Sequence, residues 1–207
     1  KSKQQKITIS TSPNNQSMNT SPGENMDEIK KLQYVYLEEA EQLFGPKTEY
    51  QYGGLYYRRA RPRVVLSEKH LIMGEKVFII ELDSMSINDR KEGIFQLSHE
   101  VVHLLSPVEQ DEENEVNYLE EGMATYFSRL ITERETGDAA YCDAAIGKEV
   151  AYLEAYTLYL QLISVDEYAV RKLRKYCPVI ANIQKADFRQ AGLQLEDELI
   201  DRLLLKF

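Results

Sequence analysis

The chain is poor in histidine and cysteine, in positive charge and in long apolar runs. It has 207 residues with only three histidines and two cysteines. Cys142 and Cys177 lie far apart, so no disulfide framework is expected, and a domain of this length does not need one. They are read as two thiols in a reducing compartment. The first residues lack the charged-then-apolar pattern of a secretory signal, which adds to a cytoplasmic expectation. No apolar run approaches 18 residues, so no membrane span is expected. Lysine and arginine total 25 against 34 acidic residues, a net charge of −9. That balance argues against a nucleic-acid binder driven by phosphate contacts.

The length suits one domain, with a core of useful size. Residues 1–24 are rich in Ser, Thr, Asn, Gln and Lys and read as a disordered leader or linker. Residues 25–207 then form the domain. A helix is expected from Asn25 or Asp27 to about Phe44, with Ile29, Leu32, Tyr36, Leu37 and Ala40 at helical spacing. Gly45-Pro46 stops it. Residues 48–66 read as one or two strands joined by a turn, and 76–82 as another strand. A helix capped by Asn88 or Asp89 follows and ends at Ser106-Pro107. Further helices are expected over about 113–134, 138–163 and 165–175, weakly over 180–191, and from Leu195 onward. Helix, strands, then many helices make an α+β domain: a small mixed sheet ahead of one distinctive helix, and a mainly helical C-terminal half.

That helix carries the string His99-Glu100-Val101-Val102-His103. Two histidines four apart project from one helix face. They can bind one Zn²⁺ at about 2.0–2.1 Å each. Glu100 is then placed to take a proton from a metal-bound water. With this composition roughly 0.005 chance matches to H-E-x-x-H are expected, so accident explains the string poorly. A lone histidine would more often be structural; this spacing reverses that reading. Leu97, Val101 and Leu104 lie roughly opposite the histidine face.

Catalytic zinc needs three protein ligands and an open position. Among the histidines only His70 remains, so a carboxylate is expected as the third. The string Leu119-Glu120-Glu121-Gly122-Met123-Ala124-Thr125-Tyr126-Phe127 lies on the next helix. Either Glu120 or Glu121 can reach back. The ordinary fate of such a pair is a solvated helix face.

Here the chain resembles the gluzincin metallopeptidases, in which an H-E-x-x-H helix is followed by a helix that supplies a Glu. Seventeen residues separate His103 from Glu121. The second string resembles the Asn-Glu-Gly-Phe-Ala-x-Tyr segment of aminopeptidase-type gluzincins, whose ligand is the Glu before the Gly. The resemblance covers about residues 95–128 and the strand ahead of the motif. It implies a zincin-like fold, with His99, His103 and Glu121 as zinc ligands and Glu100 as general base. Gly122 beside Glu121 permits close helix approach, and Thr125 or Asn117 can support the ligands from outside.

The Gly-x-Met-Glu-Asn exopeptidase signature is absent, so a minimal single-domain form, an endopeptidase acting on peptides or proteins, is the expectation. The oxyanion-stabilising donor has no motif; Tyr152, Tyr156, Tyr159 and His70 are the candidates. The strand 76–82 can border the cleft as a sheet edge on which a substrate peptide pairs, or be an ordinary internal strand. Arg58, Arg59, Arg61 and Arg63 read first as a solvated strand edge, and otherwise as an acidic-substrate subsite or processing site. The competing functional reading is an inactive zincin-fold binding or interaction module, such as a toxin or regulatory partner.

Overall fold

The computed structural model describes residues 21–67, 76–109 and 115–207. Helix α1 spans Pro22–Phe44. It begins earlier than its apolar periodicity suggests because Ser21 caps it. The Ser21 hydroxyl accepts from the Glu24 amide while the Glu24 carboxylate accepts from the Ser21 amide, with Pro22 at the first helical position. Residues 21–24 thus form the cap and first turn of α1.

Three strands follow: β1 (Gln51–Arg58), β2 (Arg63–Leu66) and β3 (Val77–Asp83). β1 and β2 are consecutive but do not pair with each other. The sheet order is β1-β3-β2, with β3 parallel to β1 and antiparallel to β2. β3 is therefore the central strand: of the two readings of 76–82, the sheet edge and the internal strand, the structure shows the internal strand. Its sequence explains the place. Val77 to Leu82 are all buried, as a strand covered on both faces requires. The one charged residue among them, Glu81, is clamped by Arg58 at 3.1 Å and by Arg63 at 2.9 Å. Two of the four arginines in the basic run are thereby used in holding the sheet together.

A short 3-10 turn at 84–88 leads into α2 (Arg90–His103). The Asp89 carboxylate accepts from the amides of Lys91 and Glu92 and starts the helix. Ile94, Leu97, Val101 and Val102 are fully buried against the rest of the core. The helix ends at His103, three residues short of Ser106. Beyond it, buried Arg174 donates to the carbonyl oxygens of Gly45, Pro46 and Leu105, tying the end of α1 to the end of α2. A helix end that leaves carbonyls unpaired needs such donors.

The C-terminal half is helical: α3 (Tyr118–Thr136), α4 (Ala139–Ile146), α5 (Val150–Val165), α6 (Ala169–Leu173), α7 (Lys185–Gln190) and α8 (Asp197–Leu203). α3 begins five residues later than its pattern suggests, where Asn117 accepts from the Glu120 amide. The single helix expected over 138–163 is two, broken at 147–149. No described helix is long and apolar enough to cross a membrane. The domain is α+β, with one three-stranded mixed sheet.

α3 lies between α2 and α5, and Gly122 sets its distance from α5. A Cβ at this position would lie 2.4 Å from the Ala155 carbonyl oxygen and 2.7 Å from Tyr159 Cβ. The close approach expected at Gly122 is thus real, but its partner is α5 rather than the histidine helix. Backbone cannot move aside as a flexible side chain can. Overpacking costs about 1–3 kcal/mol, while alanine's helix preference over glycine offsets about 1 kcal/mol. Gly122→Ala is expected to lower stability by roughly 1–2 kcal/mol on these magnitudes. Urea unfolding should show a lower midpoint at unchanged slope. A raised midpoint would refute this account of the packing.

Candidate metal centre and its cleft

α2 brings His99 and His103 side by side, with ring centroids 5.1 Å apart. The first turn of α3 faces them. Glu121 Oε2 lies 3.2 Å from His99 Nε2, and Glu121 Oε1 lies 3.6 Å from His103 Nε2. One donor atom from each of the three residues falls within 4.8 Å of the others. Two ligands at about 2.1 Å from a tetrahedral ion lie about 3.4 Å apart, so these spacings fit the edges of a zinc site. The His99–Glu121 approach lacks hydrogen-bond alignment, and Glu121 Oε2 is buried with no hydrogen-bond donor. A buried carboxylate oxygen in that state is costly. A cation at the convergence point would satisfy it.

Glu120 has a different task. It is 1% exposed rather than solvated. Its Oε1 lies 2.9 Å from His103 Nδ1. A proton on Nδ1 donated to Glu120 would leave the Nε2 lone pair directed at the point where Glu121 and His99 converge. The two adjacent glutamates divide the work because successive helical residues point in different directions, about 100° apart. Of the two outer supports expected, Asn117 does not touch the histidines: it caps α3 and donates to the Ile180 carbonyl. Thr125 lines the cleft, its hydroxyl buried without a hydrogen-bond partner. The supporting role of Glu120 was not legible in the sequence; the Asn cap three residues before it was the available signal that this turn starts a buried helix.

The electrostatics follow from burial and crowding. For His103, burial favours the neutral ring most strongly as a single influence. Glu121, Glu120 and Glu100 together outweigh it and raise the pKa to about 10. Glu121 is held below the usual carboxylate range: burial opposes this, but His103 and His99 prevail. Glu100 is 4% exposed, and burial pushes its carboxyl up, with His103 and His99 opposing and Glu121 adding to the rise. Three carboxyl groups around two imidazoles in so dry a site would suit a divalent cation.

A cleft of about 230 Å³ opens beside this cluster. His99, Glu100 and Thr125 line it, with Phe95 and Ile146 as apolar wall. Lys148 and Glu149 reach it from the break between α4 and α5, and Arg61 from the turn between β1 and β2. Arg61 approaches Glu149 at 3.6 Å, a largely exposed pair of little energetic weight.

Of the three tyrosines considered, only Tyr152 lines the cleft. Its ring meets His99 edge-on at 5.9 Å, and burial raises its phenol well above the usual range, keeping it a proton donor at neutral pH. Tyr159 is buried in the core against Phe44 and Tyr126, and the half-buried Tyr156 does not line the cleft. His70 falls outside the described residues. Cys142 and Cys177 are both free, as expected.

Comparison with protein-family models, with curated proteins and with solved structures finds no match to this chain.

Proposed function

We propose that the chain is a zinc-dependent peptidase of gluzincin type, built on a minimal zincin-like fold and acting as an endopeptidase on peptide or protein substrates. The observation that carries this reading is the convergence of His99, His103 and Glu121 on one point, with Glu100 buried in the adjoining cleft. Zn²⁺ bound by these three residues would supply Lewis acidity and a water acidified to a pKa near about 7. Glu100 accepts the proton from the attacking water, whose oxygen bonds to the scissile carbonyl carbon. Glu100 then delivers that proton to the amine nitrogen as the C–N bond breaks. Tyr152 donates to the carbonyl oxygen as negative charge builds on it. Glu120 holds His103 in the orientation and tautomer that keep Nε2 available. The raised Glu100 pKa suits a group that must both take and return a proton near neutral pH. The endopeptidase assignment rests on the missing exopeptidase signature.

The test begins with metal content. Protein purified without added metal should hold about one zinc per chain, as a three-ligand site implies. Glu121→Gln should lose most of it. Glu120→Gln should keep zinc at saturating metal but bind it about 10–100-fold more weakly, the usual cost of losing an outer partner. The zinc-loaded chain should cleave members of a quenched peptide library, and a chelator should stop it. Full zinc retention in Glu121→Gln would overturn the ligand set. A zinc-loaded chain that cleaves nothing across a broad library would favour the inactive binding-module reading.

A further inference from the structure

Tyr152 is held in an unusual way. Its hydroxyl bonds to no described residue, and its ring is placed only by packing. On one side stands His99, at 5.9 Å. On the other stands Phe207, with ring centroids 5.0 Å apart and planes tilted by 58°. Phe207 in turn rests against Tyr118 at 5.1 Å, edge-on. Residue 207 therefore sits between the first helical residue of α3 and the cleft face of α5.

The segment that carries Phe207 is anchored by main-chain bonds. The Tyr118 amide donates to the Leu205 carbonyl at 3.0 Å, and the Phe207 amide donates to the Val116 carbonyl at 2.9 Å. Asn117 and Lys206 form an antiparallel bridge between them. Lys206 Nζ also donates to the Glu115 carbonyl at 2.8 Å. The partner stretch, 115–118, includes the Asn117 cap of α3, whose first turn carries Glu120 and Glu121. One short strap thus bears on the loop that delivers two carboxylates and on the tyrosine beside His99.

We infer that Phe207 is a positioning residue for Tyr152, setting the angle at which its hydroxyl meets the reacting carbonyl. The inference rests on the role given to Tyr152 in the proposed peptidase. The physical reason is geometric. A tyrosine with no hydrogen bond to fix its ring keeps its χ angles only while its neighbours fill the space around it. Removing the Phe207 ring leaves space beside Tyr152 and frees it to rotate away. Small misplacements of a group that acts on the reacting atoms are costly in rate, on the order of 10²-fold for about 1 Å.

Two readouts test this on the zinc-loaded chain. In kinetics, Phe207→Ala should lower kcat about tenfold or more, with KM and zinc content unchanged within about twofold, as expected for lost positioning rather than lost binding. Phe207→Tyr keeps the ring and should restore the wild-type kcat. In a Tyr152→Phe background the same Phe207→Ala change should add less than about twofold, since both act through one hydroxyl. Wild-type kcat in Phe207→Ala, or a further tenfold loss in the Tyr152→Phe background, would overturn the inference.

The second readout needs no activity. The His99 ring meets that of Tyr152 edge-on at 5.9 Å, within reach of its ring current, so Phe207→Ala should move the His99 NMR signals while Phe207→Tyr leaves them in place. Unmoved His99 signals in a folded Phe207→Ala variant would overturn the inference by themselves. Should Tyr152→Phe keep the wild-type kcat, the catalytic role of Tyr152 fails, and the His99 signals alone decide whether Phe207 positions it.

Discussion

Glu100→Gln is expected to fold, to keep its zinc, and to lose peptidase activity by at least about 10²–10⁴-fold, the contribution typical of a general acid–base group. Glutamine matches glutamate in size and shape, so the packing that leaves Glu100 only 4% exposed has no reason to change. It cannot accept a proton, and the two other carboxylates that reach the histidines are already engaged. Glu121 faces the two histidine Nε2 atoms, and Glu120 is bound to His103 Nδ1. The loss should fall on kcat more than on KM, because the proton transfer belongs to the transition state. Cleavage of a quenched peptide and zinc content, measured on the same preparation, check it. Equal cleavage by wild type and Glu100→Gln would mean that Glu100 is not the base.

His103→Ala is expected to have the largest effect on the metal. It removes one of the three proposed ligands and strands Glu120, a buried carboxylate whose described side-chain partner is the His103 ring. Zinc affinity should fall by more than the roughly 10–100-fold that loss of an outer partner costs. Purified variant protein should contain almost none. Full zinc content in this variant would remove His103 from the ligand set. Affinity in the unmutated chain should also depend on pH with a defined sign. Without metal, the surrounding carboxylates raise the His103 pKa to about 10. Zinc needs the neutral ring, so binding expels that proton. Affinity should therefore rise with pH below about 10, while protons are still bound to His103, and zinc uptake should release acid in a weakly buffered titration. Affinity that falls as pH rises from 6 to 8 would contradict the assigned pairing.

Much of the site was legible without coordinates because its information is local. A four-residue spacing on one helix brings two imidazoles together whatever the rest of the fold does. The apolar residues opposite them, Leu97, Val101 and Leu104, are fully buried. The helix boundaries were less legible, for physical reasons that can be named. Apolar periodicity locates the buried part of a helix, whereas caps locate its ends. Ser21 extended α1 backward, and Asn117 delayed α3. The break at 147–149 interrupts what reads as one helix, and it places Lys148 and Glu149 on the cleft.

The amino-acid sequence by itself determined the α+β class, the helix bearing His99, Glu100 and His103, and the neighbouring glutamate pair from which a third donor is drawn. These depend on spacing along one element, and helical geometry converts spacing into direction. Only the tertiary structure decided the rest. It made β3 the central strand, because the partners of a strand are set by long-range pairing rather than by its own residues. It turned Glu121 toward both histidine Nε2 atoms and Glu120 toward Nδ1, because that choice depends on how α3 is rotated against α2. It placed Tyr152, one of three tyrosines on one helix, beside the cleft, and it packed Phe207 against it. Contacts between residues dozens of positions apart leave no periodic trace in a single chain; they exist only once the core has packed.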